Sequence, residues 1–152
     1  MIQLISKYFK LEEFINSQIA IEKHIDNTPN DEIIENLNWL CLKILDPLRA
    51  KLNKSIVINS GYRSLALNLA VGGTQNPISQ HTKGKAADII VPGMIAKDLM
   101  NFIIDETSLP FDQLIFEFES WVHITYDKEK QIQREEKLMI NHGTGYVPYI
   151  RR

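Results

Sequence analysis

The chain has 152 residues, of which 44% are hydrophobic and 24% are charged, and its formal net charge is −2. This composition is typical of a soluble globular protein, and the length is that of one ordinary domain with its own core. Because the chain has no excess of basic residues to neutralise phosphates, we do not expect it to bind nucleic acid.

The sequence also lacks the patterns of membrane and secreted proteins. No apolar run approaches the roughly 18 residues that span a membrane. Residues 1–20 do not combine a basic start with a long apolar stretch. We therefore expect cytoplasmic synthesis without a signal peptide and no membrane insertion, and we take the protein to be a monomer. The single cysteine, Cys41, excludes an intramolecular disulfide, and its apolar neighbours predict a buried thiol.

Apolar residues recur at helical spacing in two segments. The first, residues 31–52, follows a break that supplies capping residues, and Pro47 is expected to kink this helix or end its first part. The candidate caps are Thr28, Asn30 and Asp31. The second segment covers residues 95–105. Its residues expected to face inward are Ile95, Leu99, Phe102 and Ile103.

Runs of β-branched and aromatic residues predict strands at residues 56–59, 89–91, 111–118 and 121–126. Very few residues separate the last two strands, which predicts a β-hairpin. The chain shows no internal repeat and no linker, so we predict a single domain over residues 1–152.

A stretch that begins at Ser79 contains the first candidate metal ligands. His81 and Asp88 lie seven positions apart, and Gly84 permits a turn that brings His81 back alongside Asp88. Imidazole and carboxylate groups are ligands that zinc accepts. An isolated aspartate in such a place is more often a cap or turn residue, so the metal prediction depends on the combination.

His123 is the candidate third ligand. It lies within residues 121–126, where strand geometry points its side chain away from its two apolar neighbours. Three protein ligands leave the fourth position of a tetrahedral zinc ion open for water. The remaining histidines, His24 and His142, are not expected to bind metal.

Arg63 is a candidate for binding negative charge. It follows the strand at residues 56–59 on a Ser-Gly turn, from which a guanidinium can face a cavity. Arginine suits a carboxylate or a developing oxyanion because it can bond two oxygens and always stays charged. A surface arginine paired with one of the 19 acids explains the residue equally well.

In their order and spacing, these motifs resemble the M15 zinc peptidases, a family of D-alanyl-D-alanine carboxypeptidases and related peptidoglycan-peptide hydrolases. The resemblance covers about residues 9–126, and residues 127–152 are then a C-terminal extension. The segments that carry it are residues 60–64 (SGYRS), Asn68, residues 71–73 (VGG), residues 79–88 (SQHTKGKAAD) and residues 121–123 (WVH).

The resemblance implies an α+β fold of the hedgehog/DD-peptidase type, with helices packed against a small, mainly antiparallel sheet that carries a zinc site. The zinc ligands that it implies are His81, Asp88 and His123. It further implies that Arg63, together with Ser79, binds a carboxylate or carbonyl oxygen of the substrate. Trp121 then lines the cleft or braces the last histidine, and core packing is the alternative.

The general base departs from the family pattern. Many relatives carry an acid three residues before the last histidine, where this chain has Ser120. On an unbroken strand, an acid four residues from His123 is about 13 Å away, at roughly 3.3 Å per residue. A hairpin turn at residues 118–120 instead places Glu117 across from the strand of that histidine. We therefore predict Glu117 as the base, with Glu119 as the alternative.

The resemblance implies zinc-dependent hydrolysis of amide bonds in peptidoglycan stem peptides or their precursors, by a D-Ala-D-Ala carboxypeptidase or an endopeptidase. The missing acid at Ser120 keeps open a second hypothesis, a non-catalytic zinc-containing module that binds the cell wall or has a structural role. A structural domain without metal is a third. A wall hydrolase without an export signal fits an endolysin, a phage or prophage lysis enzyme released to the cell wall. It also fits a cytoplasmic enzyme that acts on precursors.

Overall fold

A computed structural model describes residues 4–151 of the chain. The strands in chain order are β1 (Val57–Ser60), β2 (Ala86–Ile90), β3 (Gln113–Glu117), β4 (Trp121–Thr125), β5 (Glu136–Ile140) and β6 (Val147–Pro148). They form one sheet in the order β1-β2-β4-β3-β5-β6. Neighbouring strands are antiparallel except β3 and β5, which are parallel.

Helices accompany this sheet. They are α1 (Glu12–Ile15), α2 (Gln18–Glu22), α3 (Asp31–Leu40), α4 (Asp46–Leu52), α5 (Leu65–Ala70) and α6 (Ala96–Glu106). A π-helical turn, Cys41–Leu45, joins α3 to α4, and a 3₁₀ turn, Gln80–Lys83, precedes β2. Within residues 4–151, none of these helices has the length and apolar character needed to span a membrane.

The long predicted helix is present but is less regular than expected. Asn30 caps it, because its side-chain oxygen accepts a hydrogen bond from the backbone N–H of Ile33 at 2.9 Å. Pro47 does not end the helical path, which continues to Leu52. The irregularity is the π-helical turn immediately before the proline. A proline lacks an N–H and its ring clashes with the carbonyl four residues earlier, so a wider turn at that point accommodates it.

Alternation along the central strands divides their side chains between two faces of the sheet. One face is apolar and buried, and it shares a core cluster with residues of α3, α4 and α6. Its members on the strands are Ala87, Ile89, Leu114, Phe116, Val122 and Ile124. The structure thus confirms the α+β fold with helices packed against a mainly antiparallel sheet. The inward position predicted for Ile95 is wrong, since this residue precedes the first turn of α6 and is 65% exposed.

Strands β3 and β4 form the predicted hairpin. Glu117 pairs with Trp121, and Ile115 pairs with His123 two positions further along each strand. The two residues at the tip of the turn, Phe118 and Glu119, have φ values of +52° and +55°. Positive φ at both central residues is typical of the tight turns whose twist matches that of the flanking strands. The turn therefore ends β3 directly at Glu117.

After β4 the chain adds two strands to the sheet, which we did not predict for residues 127–151 (hereafter the C-terminal segment). A buried carboxylate fixes the start of this segment. Asp112 accepts hydrogen bonds from Lys130 Nζ at 2.7 Å and from Arg134 Nη2 at 2.8 Å. Its carbonyl oxygen also accepts one from the backbone N–H of Glu136 at 3.0 Å. These contacts align β5 beside β3.

Candidate metal centre

The second face of the sheet carries two of the predicted ligands on adjacent strands. Asp88 in β2 and His123 in β4 are direct cross-strand partners. Their side chains therefore leave the sheet side by side, and His123 Nδ1 lies 2.9 Å from Asp88 Oδ1. This pairing results from the register of the sheet, which also buries the apolar neighbours of both residues on the opposite face.

His81 reaches the same point from the 3₁₀ turn. Ser79 begins this turn by accepting a hydrogen bond from the backbone N–H of His81 at 3.2 Å. Gly84 ends it with a φ of +70°, and a Cβ at this position would lie only 2.8 Å from the carbonyl oxygen of Ile33. Both the left-handed backbone and the close approach require glycine. The turn therefore reverses the chain and brings His81 beside β2, as predicted.

The orientation of the His81 ring follows from its hydrogen bond. Its Nδ1 lies 2.7 Å from the carbonyl oxygen of Gly61. Because a carbonyl can only accept, Nδ1 carries the proton and donates it. Nε2 is then left with its lone pair, 3.3 Å from Asp88 Oδ1. A histidine that binds metal is commonly held in this way, with its second nitrogen donating to a backbone carbonyl.

The three predicted ligands converge. His81, Asp88 and His123 each offer one ligand atom, these atoms lie within 4.8 Å of one another, and all three residues are buried. Two imidazole nitrogens and one carboxylate oxygen form a donor set that suits zinc, with one position free. The residues present therefore fit a divalent metal ion.

Metal binding requires deprotonated ligands, and the pKa shifts favour that state at Asp88 and His81. Burial by itself would raise the pKa of Asp88, but His81 and His123 outweigh it and hold that pKa below its usual range. Burial lowers the pKa of His81, which favours the neutral imidazole. At His123 the direction is opposite, because Asp88 and Glu117 outweigh burial and raise the pKa, which favours the protonated imidazole, so a metal ion would displace a proton from this residue.

The hairpin brings one of the two candidate bases to this cluster. Glu117 Oε1 lies 3.3 Å from His123 Nδ1. Burial raises the pKa of Glu117 to about 7, with a further increase from Asp88 and an opposing effect of His123 and Arg63. Glu119 lies exposed in the turn. The structure thus places Glu117 against the cluster, although the role of Glu117 as a base stays a prediction.

Arg63 faces the same cleft rather than the outer surface. Its backbone N–H donates to the carbonyl of His81 at 3.1 Å, and Nη2 donates to Ser79 Oγ at 3.4 Å. Its Nε is buried and has no hydrogen-bond partner among residues 4–151. A buried donor without a partner is costly, so this N–H group is suited to donate a hydrogen bond to a ligand oxygen. Trp121 lines the cleft and contacts Phe118 edge to face, with 5.6 Å between the ring centroids.

The cluster opens into a large cleft, and a second cavity lies beside it. A cavity of about 890 Å³ contains all three candidate ligands, Glu117 and Arg63 in its lining. A second cavity of about 450 Å³ lies towards α2. The two cavities share four lining residues, namely Arg63, Val71, Asp88 and Trp121. The two cavities therefore lie next to each other, and of the three candidate ligands only Asp88 borders both.

Part of this cleft comes from residues that sequence reasoning missed. Leu138, Ile140 and Tyr146 of the C-terminal segment line the larger cavity. Their sequence gave no signal for a site, because single apolar and aromatic residues in a tail are ordinary. They reach the cleft only because β5 pairs with β3.

A comparison with protein-family models matches residues 7–125 to the model described as Peptidase M15. A search of the curated proteins gives no match. The matched stretch contains the three candidate ligands, Glu117 and Arg63. It stops before the C-terminal segment.

Proposed function

The chain belongs to the M15 peptidase family, and from this premise we propose that it is a zinc hydrolase of amide bonds in peptidoglycan stem peptides. M15 peptidases are metal-dependent, and membership implies a peptide substrate. The observation that carries the proposal is the buried His81–Asp88–His123 cluster, with its ligand atoms within 4.8 Å, in the lining of an open cleft.

The metal would be held by His81, Asp88 and His123. When bound, zinc supplies Lewis acidity, which polarises a peptide carbonyl and makes water available as a nucleophile near neutral pH. The protein side chains orient the rest of the reaction. Arg63 pairs with an oxygen of the peptide, through a guanidinium whose Nε has no partner among residues 4–151.

Glu117 serves as the general base and acid. Its carboxylate takes a proton from the attacking water as the new C–O bond forms. It then gives that proton to the amide nitrogen as the C–N bond breaks, so the products are a carboxylic acid and an amine. The support is geometric, because Glu117 Oε1 lies 3.3 Å from His123 and faces the cleft, whereas Glu119 and Ser120 are exposed. A base at the end of the facing strand thus substitutes for the acid absent at Ser120.

We further propose that the bond cut is internal to the peptide. A carboxypeptidase needs a groove that closes shortly after the scissile bond, so that only a terminal residue fits. Here Arg63 and Asp88 line both the cavity of about 890 Å³ and the neighbouring one of about 450 Å³. The support for this proposal is the second cavity beside the cluster, which could hold peptide residues beyond the scissile bond, as an endopeptidase requires and a D-Ala-D-Ala carboxypeptidase does not.

The test is incubation of the zinc-loaded protein with purified peptidoglycan and with soluble stem peptides. Release of new amino groups is the expected result. Mass analysis of the soluble products distinguishes an internal cut from the loss of one terminal alanine. Bound zinc without any new amino groups would contradict hydrolysis and favour a cell-wall-binding module. If the purified protein retains no zinc, the remaining hypothesis is a structural domain without metal.

A further inference from the structure

We propose that Tyr146, in the C-terminal segment beyond the family match, is a substrate-binding residue whose hydroxyl donates a hydrogen bond to an oxygen of the bound peptide. This inference rests on the proposed function, because it assumes a peptide in the cleft. It assigns a role in substrate binding to a residue outside the matched stretch, whereas the metal cluster lies inside that stretch.

The C-terminal segment is part of the floor of the cleft. In β5, Leu138 pairs with Ile115 of β3, and Ile140 pairs with Glu117. Side chains on alternate positions of paired strands share one face of the sheet, and all four line the larger cavity. The floor therefore continues without a break from the metal cluster to the strand that leads to Tyr146.

Contacts on both sides of Tyr146 hold the connection between β5 and β6 in place. Before it, the ring of His142 stacks on Phe118 with centroids 4.5 Å apart, and the backbone N–H of Phe118 donates to the carbonyl of Ile140 at 2.9 Å. After it, the Tyr149 hydroxyl donates to Asn101 Oδ1 at 2.7 Å. A side chain between two anchored points has less freedom to lose when a substrate binds.

Tyr146 lines the cleft and is 49% exposed, and its hydroxyl forms no hydrogen bond with another residue among 4–151. It shares the lining of the larger cavity with Glu117, Asp88 and Arg63. A phenol is a neutral donor, so it can bond a carbonyl or carboxylate oxygen without adding a charge beside the base. Peptides offer such oxygens at every residue. The hydroxyl is therefore suited to hold the substrate while Glu117 and Arg63 act on the reacting bond.

The test compares Tyr146→Phe with Tyr149→Phe, which removes a hydroxyl that bonds Asn101 instead of facing the cleft. Tyr146→Phe should lower kcat/KM on a stem peptide by about tenfold, the loss expected for one hydrogen bond, and leave zinc content and Tm unchanged. Tyr149→Phe should lower Tm, because it loosens one anchor of the segment, and should lower kcat/KM less than Tyr146→Phe does. Equal kcat/KM for Tyr146→Phe and the wild type would overturn the inference.

Binding separates this inference from the proposed function. In a Glu117→Gln background, which keeps the peptide intact, calorimetry measures the Kd of the stem peptide with and without Tyr146→Phe. A weakening of about tenfold supports the hydrogen bond. If both Kd and kcat/KM are unchanged, the proposed role of Tyr146 is wrong, whereas the proposed hydrolase function is unaffected. If the zinc-loaded wild type neither cleaves nor binds the peptide, the proposed function fails as well.

Discussion

Glu117 and His123 belong to facing strands of one hairpin, and their side chains meet with Glu117 Oε1 3.3 Å from His123 Nδ1. Only residues 118–120 separate the two strands, so Glu117 pairs directly with Trp121, two residues from His123. The short hairpin thereby brings an acid and a candidate metal-ligating imidazole together, although position 120, three residues before the histidine, carries a serine.

Glu117→Gln should retain zinc and lose activity. The amide keeps the size of the side chain but cannot accept the proton of water, and general acid-base catalysis contributes about 10²- to 10⁴-fold. The measurements are kcat on a stem peptide and zinc content by atomic absorption. Glu119→Gln is the matched control and should keep full activity. If Glu119→Gln is the inactive variant, the base assignment is wrong.

Glu119→Gly should make the protein more stable and leave kcat unchanged. Glu119 has a φ of +55°, a conformation that costs an L-residue about 1–2 kcal/mol and glycine almost nothing. The greater freedom of glycine in the unfolded chain offsets part of this gain, so we expect about 0.5–1 kcal/mol. Urea unfolding gives the value. A destabilised Glu119→Gly variant would show that the carboxylate contributes to the turn.

Zinc should raise the Tm of the wild type but not that of His81→Ala. A ligand that binds only the folded state adds about 2.7 kcal/mol when its free concentration is 100 times Kd. Removing one of three ligands weakens binding enough to abolish this gain. Thermal unfolding with zinc and with a chelator measures the effect. His142→Ala should keep the zinc-dependent shift, because His142 lies outside the ligand cluster.

Gly84→Ala should destabilise the protein and weaken zinc binding. Its φ is +70°, and the new Cβ would lie 2.8 Å from the carbonyl oxygen of Ile33. The left-handed backbone and the overlap of this Cβ with the carbonyl oxygen together predict that the free energy of unfolding falls by about 2–4 kcal/mol. The strain should also displace His81, which lies in the same turn. Gly93→Ala is the control, since Gly93 has a φ of +82° with nothing within 4 Å of the added Cβ. It should cost only about 1–2 kcal/mol and leave zinc affinity intact.

Asp112→Asn should destabilise the protein in a pH-dependent way. Burial alone would raise the pKa of Asp112, but Arg134 and Lys130 outweigh it and hold the pKa well below its usual range. A carboxyl group whose pKa is depressed in the folded state stabilises it fully above the unfolded pKa of about 4 and progressively less as pH falls below that.

The loss in Asp112→Asn should therefore be about 2 kcal/mol at pH 7 and smaller at pH 3, because Asp112 is buried but solvent reaches its partners Lys130 and Arg134, which are 35% and 49% exposed. Urea unfolding of both proteins at the two pH values provides the measurement. A difference that stays constant between pH 7 and pH 3 would mean that the carboxylate charge is not what fixes the C-terminal segment.

Several features of the site could be predicted from residues close together in the chain. The alternation around His123, the glycine between His81 and Asp88, and the turn after Glu117 are local signals of backbone geometry. They sufficed to predict the hairpin and which three side chains converge. The sequence by itself thus determined which three side chains form the cluster, and its resemblance to the M15 peptidases gave the α+β class.

Only the tertiary structure decided what surrounds that set. Parallel pairing of β5 with β3 brings Tyr146 to the cleft, and a hydrogen bond from His81 to the carbonyl of Gly61 turns the ring so that Nε2 faces Asp88. Such contacts join distant parts of the chain. Local periodicity states which face of a strand is apolar, but it does not state which neighbour the strand will pair with, because the backbone groups that form the pairing are the same in every residue.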